Sequence, residues 1–431
     1  MLVNLRLSNY RSFHEEVNLS LRATSDNELQ ELNVTSIYNN VLEAKNNGIL
    51  KSAVLFGVNA SGKSNILKGL NYMKSAIMYS AVSNPNLIVL NERHLLLQGT
   101  ESEPSVYEVE FIYNKIYYKY GFEITNRKIT HEYLYRRVER LTNVFDRTST
   151  TFSIIGFDVR TTSIIKLDQT TLFLSVARNY GLSSNVVDSI TDVLKWFDSV
   201  LIVFEETQNS FEIYEYENGK YIHEALNILK QADIGIDSFQ VHKEMLYTRA
   251  DNKFTLNPLT PMLQSMQIAE TSDGVGSLDI KTRFVVHDKY GRFASNLDVY
   301  LLKNHGFHSE GTKRLLFYLG WILLSLDQGR LLLIDEIDSK LHFILSDYIL
   351  KQFNSINRNP KNAQIVCTAH NLMLMDEDFR RDQIYFTSKT KLGQSTLLSL
   401  SDFKGVRKND LFSKKYLSGF YTKLPDLIKE I

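Results

Sequence analysis

Lys63, Ser64, Asp335, Glu336 and His370 are the side chains whose types and spacing point to one shared chemistry, phosphoryl transfer to water. The stretch FGVNASGKSNILKGL carries Gly57, four further residues and then Gly62-Lys63-Ser64, the spacing of a phosphate-binding loop. Glycine serves where the backbone must curl toward phosphates, and a helix opening near Lys63 presents unpaired N–H groups and a favourable dipole to an anion. Gly57, Asn59, Ala60, Ser61, Gly62, Lys63, Ser64 and Asn65 are therefore the candidate nucleotide-binding residues. Lys63 is placed to reach the β- and γ-phosphates, and Ser64 to hold Mg²⁺. Far downstream, GRLLLIDEIDSKLH delivers Asp335 and Glu336 at the end of an aliphatic run. Asp335 is assigned to the metal and Glu336 to the attacking water. His370, just past the apolar run of AQIVCTAHN, is the candidate partner of the terminal phosphate or that water.

These side chains need elements to position them. Ala53-Val54-Leu55-Phe56 reads as a buried strand ahead of the loop, and the aliphatic runs before Asp335 and His370 read as two more strands of the same sheet. Between them, HSEGTKRLLFYLGWILLSLDQG keeps apolar residues at helical spacing from Leu315 to Leu326, which predicts a helix from near Gly311 to near Gly329, capped by Ser309. With Lys313 and Arg314 nearby, its N-terminus is a second anion-binding end. The bland alternatives are a glycine-rich turn, a strand ending in charge, an exposed histidine and an ordinary capped helix; what weighs against them is their occurrence together.

Length and composition set outer bounds. A chain of 431 residues holds two or three ordinary domains, or one with a large insertion. Lys and Arg total 49 and Asp and Glu total 49, so no overall basic field argues for tight, sequence-independent nucleic-acid binding. The only cysteine, Cys367, forms no intrachain disulfide and reads as a small core residue, in keeping with a reducing cytosol. The opening MLVNLRLSNYRSF alternates as a strand does, and no apolar run reaches the length of a membrane span.

The chain between the two halves of the site is longer than a minimal nucleotide fold requires. Residues 105–150 are rich in Tyr, Ile and Val with near-alternation, which predicts an antiparallel sheet, and 180–235 read as several short amphipathic helices. Sustained heptads are absent, so no long coiled coil is expected. RKITHEYLYRRVER, residues 127–140, mixes basic and aromatic side chains suited to a nucleic-acid backbone, but Glu132 and Glu139 dilute it and a solvated strand face is the preferred reading. MDEDFRRD, residues 375–382, offers Asp376 and Asp378 to a metal and is read as a charged loop.

In this order the motifs resemble the ABC-class P-loop ATPases, in the soluble branch containing SMC proteins, recombination-repair ATPases and the overcoming-lysogenization-defect proteins. LRLSNYRSF resembles that branch's opening strand, GVNASGKSN its Walker A loop, SEGTKR its signature, LLLIDEIDSKLH its Walker B and D-loop, and TAHN its switch histidine. Within the branch, NASGKSN, GTKRL, IDEID and VRKNDLFSKKYLSGFY are similar to the bacterial AAA-family ATPase/GTPase group of abortive-infection and phage-defence operons. The resemblance implies ATP and Mg²⁺ as cofactors and an α/β ABC-type head with a mixed or parallel core sheet, an antiparallel β lobe and a helical insertion. The expected division is 1–178, 179–245 as the insertion, and 246–431.

It also implies a homodimer or higher homo-oligomer in which Ser309, Gly311 and Lys313 close over the partner's nucleotide, while Arg11 and Ser12 lie near the nucleotide in cis. The role implied is a cytoplasmic ATPase sensor or scaffold controlling a separately encoded nuclease or toxin, with DNA as a further candidate partner and no membrane. The alternatives are a DNA-repair clamp, a transporter subunit and a dead nucleotide site. Three departures stand out: Glu310 in place of a glycine, His342 in place of the D-loop aspartate, and no clear Q-loop glutamine beyond Gln98.

Overall fold

The computed structural model describes residues 1–36, 41–42, 48–81, 88, 92–155, 168–204, 219–232, 234–250, 253–256, 267–271, 274–301, 303, 306–407 and 410–422. Two compact units emerge: Met1–Val203 with Gln328–Ser339 and Asp347–Ile431, and Phe204–Asp327 with Lys340–Ser346. The chain is α/β.

The first unit contains a six-stranded sheet in the order Leu201–Val203, Leu331–Ile334, Gln364–Thr368, Ser52–Gly57, Ile384–Lys389, Ser395–Ser399, parallel except for the last strand. A parallel strand is covered on both faces and so reads as an unbroken apolar run. Ser52–Gly57, Leu331–Ile334 and Gln364–Thr368 are buried at every position, Cys367 among them. Every parallel strand ends at the same edge, and that edge is where the loops of the site emerge.

The same unit also contains a seven-stranded antiparallel sheet, in the order Phe152–Ile154, Leu141–Thr148, Lys128–Arg137, Ile116–Thr125, Ser105–Tyr113, Leu2–Ser8, Val17–Ser20, and a short pairing of Val34–Thr35 with Ile49–Leu50. Two of its hairpins turn in two residues, Asn114-Lys115 and Asn126-Arg127, all four with positive φ. That is the type I′ turn, whose twist matches the flanking strands and whose first position suits asparagine. The helix Lys63–Tyr79 lies against the opening strand, where a Cβ on Gly69 would stand 2.4 Å from Leu7 Cδ1. The helix Ser184–Ser199 buries Trp196, whose ring stacks on Phe111 at 4.0 Å.

Two expectations change here. Glu132 does not dilute a solvated face, because it is fully buried. Its carboxylate accepts from Phe173 N, Leu174 N and Tyr120 Oη and pairs with Arg147, and burial pushes its pKa up. Nor are residues 375–382 only a charged loop. Arg380 is fully buried, forks onto Asp382 and holds the carbonyls of Asp26 and Glu28. Asp376 is bonded to Ser413 and Asp378 faces Lys351, and no metal-binding group of three His, Cys, Asp or Glu occurs among the described residues.

The second unit contains the helices Lys220–Gln231 and Glu310–Gln328 and an antiparallel sheet. Its strands run Lys253–Leu256, Ser238–Ala250, Gly274–His287, Gln267–Thr271, with Phe293–Tyr300 also paired to Gly274–His287. The segment 179–245 is therefore not simply a helical insertion. Leu201–Val203 joins the core sheet beside Leu331–Ile334, which draws the preceding helix into the first unit, and Ser238–Ala250 opens a sheet. Residues 205–218 and 233, also within the expected insertion, lie outside the described residues. The longest helix among the described residues, Glu310–Gln328, has 19 residues, and none is long and apolar enough to cross a membrane.

Candidate functional site

Four segments converge at the carboxyl edge of the parallel sheet. The loop after Ser52–Gly57 turns through Ala60, φ 61, and Gly62, φ 106, before the helix begins at Lys63. Gly57 has no room for a side chain: a Cβ would stand 2.3 Å from Thr387 Oγ1, 2.5 Å from Ser61 Oγ and 2.6 Å from Thr387 O. Ser61 and Thr387 hydroxyls are 2.6 Å apart, which ties the loop to the neighbouring strand. The Lys63 ammonium folds back onto the loop, donating to Gly57 O at 2.8 Å and Val58 O at 3.3 Å. Burial lowers its pKa, opposed by the carboxylates of Glu336, Asp335 and Asp338.

The acidic pair meets this loop directly. Ser64 Oγ donates to Asp335 Oδ1 at 2.9 Å, and Thr368 Oγ1 donates to the same oxygen at 2.6 Å. Thr368 Oγ1 also accepts from Glu336 N at 2.7 Å, and Glu336 sits at φ 53, a left-handed conformation unusual for glutamate. The Glu336 carboxylate reaches out to His370, with Oε1 3.4 Å from Nε2 and both side chains partly exposed. Asp338 holds the histidine's segment, its Oδ2 accepting from His370 N at 2.8 Å and from Asn371 N. A hydroxyl and a carboxylate already in contact are hard oxygen donors of the kind Mg²⁺ takes, so Ser64 and Asp335 fit that ion. The curled loop with the amides of a helix N-terminus fits a polyphosphate.

Thr368, Asp338 and Thr387 were not singled out in the sequence. Only the first carries a readable signal, a hydroxyl residue closing an apolar strand just before Ala369-His370.

Ser12 stands against the loop: its Oγ accepts from Asn65 Nδ2 at 2.8 Å, and a Cβ on Gly62 would stand 2.8 Å from it. Arg11 is paired with Glu92 at 2.6 Å. Asn59 is exposed, and Gln98 lies exposed in a turn.

Ser309, Gly311 and Lys313 belong to the second unit. Ser309 Oγ accepts from Thr312 N at 3.0 Å and so caps the helix Glu310–Gln328. A Cβ on Gly311 would stand 2.8 Å from Lys340 O, so glycine lets the helix start against that backbone. Glu310 is paired with Lys313 at 2.9 Å and Lys340 at 3.6 Å, and the hydrogen bond from Lys313 holds its pKa down. The negative charge of Glu310 is thus balanced locally. His342 Nδ1 accepts from Ile344 N at 3.3 Å, at the start of Phe343–Asn354.

The family described as "AAA domain, putative AbiEii toxin, Type IV TA system" matches residues 52–376, which include both halves of the acidic and phosphate-binding motifs. No curated protein matches the chain. Among solved structures, the SMC head bound to the C-winged helix domain of ScpA is similar with a TM-score of 0.41 and 15% identity, over 92% of this chain and 97% of that one. The SMC head domain from Thermotoga maritima gives 0.39 and 13%, over 92% and 98%. The recombination mediator protein RecF with ATPrS gives 0.33 and 14%, over 92% and 98%.

Proposed function

Because the chain belongs to the AAA-domain family described with AbiEii-type toxins of type IV toxin–antitoxin systems, a family of P-loop ATPases, we propose that it binds and hydrolyses Mg²⁺-ATP as a switch. The observation that carries this reading is the contact between Ser64 and Asp335, with Lys63, Glu336 and His370 around the same loop.

The amides from Gly57 to Asn65 hold the phosphates, and Lys63 exchanges its two carbonyl partners for phosphate oxygens. Ser64 and Asp335 would hold Mg²⁺, which when bound would supply charge neutralisation at the terminal phosphates. Glu336 orients water and takes its proton, and His370, 3.4 Å from it, steadies that carboxylate and faces the terminal phosphate. Arg11 and Ser12 approach the nucleotide in cis. Ser309, Gly311 and Lys313 of a second copy complete the site in trans, so ATP drives assembly of a homodimer or larger homo-oligomer and hydrolysis releases it. In this reading the chain works in the cytoplasm as a sensor and scaffold that governs a separately encoded nuclease or toxin in antiphage defence. The match to a toxin–antitoxin family supports a protein partner.

Glu336→Gln removes the base and keeps the nucleotide site, so it should trap the ATP state. Its native mass in Mg²⁺-ATP, after purification from its own host cells, is expected at twice the chain mass or more, with a second protein attached. A monomer with ATP bound would sink the trans mechanism.

A further inference from the structure

The turn that carries Arg11 is held from two sides. On one side Ser12 meets Asn65 and Gly62 of the phosphate loop. On the other, the Arg11 guanidinium is already occupied: Nε lies 2.6 Å from Glu92 Oε2 and Nη2 donates to Glu92 Oε1 at 2.9 Å. The main chain repeats the link, with Arg11 N donating to Glu92 O at 2.7 Å. Asn9 and Arg11 both stand at positive φ, 47 and 51, which residues other than glycine keep only where their surroundings impose it. The segment of Glu92 imposes it: His94 N donates to Asn9 Oδ1 at 3.1 Å, and His94 Nδ1 lies 2.9 Å from Arg11 O. Arg11, Ser12 and Glu92 share the wall of one cavity of about 970 Å³.

A carboxylate offers a guanidinium fork two oxygens in the same arrangement as a phosphate does. Glu92 therefore occupies on Arg11 the place a phosphate would take. We infer that Glu92 is an internal competitor of the nucleotide, holding Arg11 in the ligand-free chain so that Arg11 engages a phosphate only when this pair opens. The inference rests on the nucleotide site proposed above. The side chains of Arg11 and Glu92 are 28% and 57% exposed, which limits the pair to the worth of a surface ion pair, so the competition tunes affinity without abolishing it. A Glu92 that instead aimed Arg11 at the phosphate would have the opposite sign.

Glu92→Gln removes the charge and keeps the size. Binding of a fluorescent ATP analogue with Mg²⁺ to the full chain at low salt is expected to tighten about three- to fivefold. The value of kcat should be unchanged, and the tightening should vanish in an Arg11→Ala background. Glu92→Asp, which keeps the charge and shortens the reach, should tighten binding as well. Unchanged or weaker binding by both variants overturns the inference, as does tightening that persists without Arg11. Lys63→Ala separates the two failures. If wild-type binding does not depend on Lys63, the nucleotide site falls and the inference with it; if it does and the Glu92 variants are inert, only the competition falls.

Discussion

Replacing Thr368 by valine removes a side chain that joins both acidic residues of the site. Its hydroxyl donates to Asp335 Oδ1 at 2.6 Å and accepts from Glu336 N at 2.7 Å, and the residue is fully buried. Valine preserves the branched shape at the strand end and abolishes both bonds. The bond to the carboxylate is charge-assisted and contributes about 2 kcal/mol, and the one from the amide about 1 kcal/mol. Thr368→Val should therefore lower the unfolding free energy of the first compact unit by about 3 kcal/mol. Catalysis should fall as well, because the same amide bond helps keep Glu336 in its left-handed conformation. A glutamate released from that geometry loses its alignment with water, and kcat should drop on the order of a hundredfold, with ATP affinity little changed. Urea unfolding followed through the buried Trp196, together with steady-state ATP hydrolysis, reads both effects. Thr368→Ser restores the hydroxyl and should recover most of each loss. If Thr368→Val unfolds at the wild-type urea concentration and hydrolyses ATP at the wild-type rate, the hydroxyl is not what holds the acidic pair, and the reasoning is refuted.

Two further outcomes follow from the same loop. Gly57→Ala sets a methyl 2.3 Å from Thr387 Oγ1 and 2.6 Å from its carbonyl, so the loop must shift and nucleotide affinity should fall on the order of tenfold, measured by equilibrium binding. Lys63 has its pKa lowered by burial, so the folded chain disfavours the ammonium, and stability rises with pH as the proton leaves between that lowered value and the ordinary lysine value. A triphosphate favours the ammonium again, so ATP binding in alkaline buffer should take up protons and at neutral pH should not; calorimetry in buffers of different ionisation enthalpy tests this, and buffer-independent heats throughout would contradict it.

The elements of the site were legible in sequence where the signal is local. The loop from Gly57 to Ser64 carries its glycines, its strand and its helix within one short stretch, and Leu331–Ile334 is apolar throughout because it is buried at every position. Thr368 was not legible as a ligand of Asp335, because that role depends on the pairing of Ile334 with Cys367, a register between strands that the residues themselves do not encode locally. Glu132 misled for a related reason: its partners Phe173, Leu174 and Arg147 lie on other segments, so its charge reads as solvated until the fold is known. The sheet of the second unit escaped because its strands carry little period-two signal. From Arg283 to Asp298 nearly every residue is exposed, so both faces tolerate polar side chains and no buried face imposes alternation.

The order of the parallel sheet also sets a timetable for synthesis. Ser52–Gly57 is flanked by Gln364–Thr368 and Ile384–Lys389, and Ser52 hydrogen-bonds Asn354 across 302 residues of chain. At about 5–20 residues per second, roughly 15–60 s pass between the emergence of the loop strand and that of its neighbours. Throughout that interval this fully buried strand has neither of its neighbours in the sheet. The nascent chain therefore depends on a chaperone, or on provisional cover by its own earlier segments, and a stall or truncation before residue 364 yields a chain that carries the whole loop from Gly57 to Ser64 without either strand that flanks it.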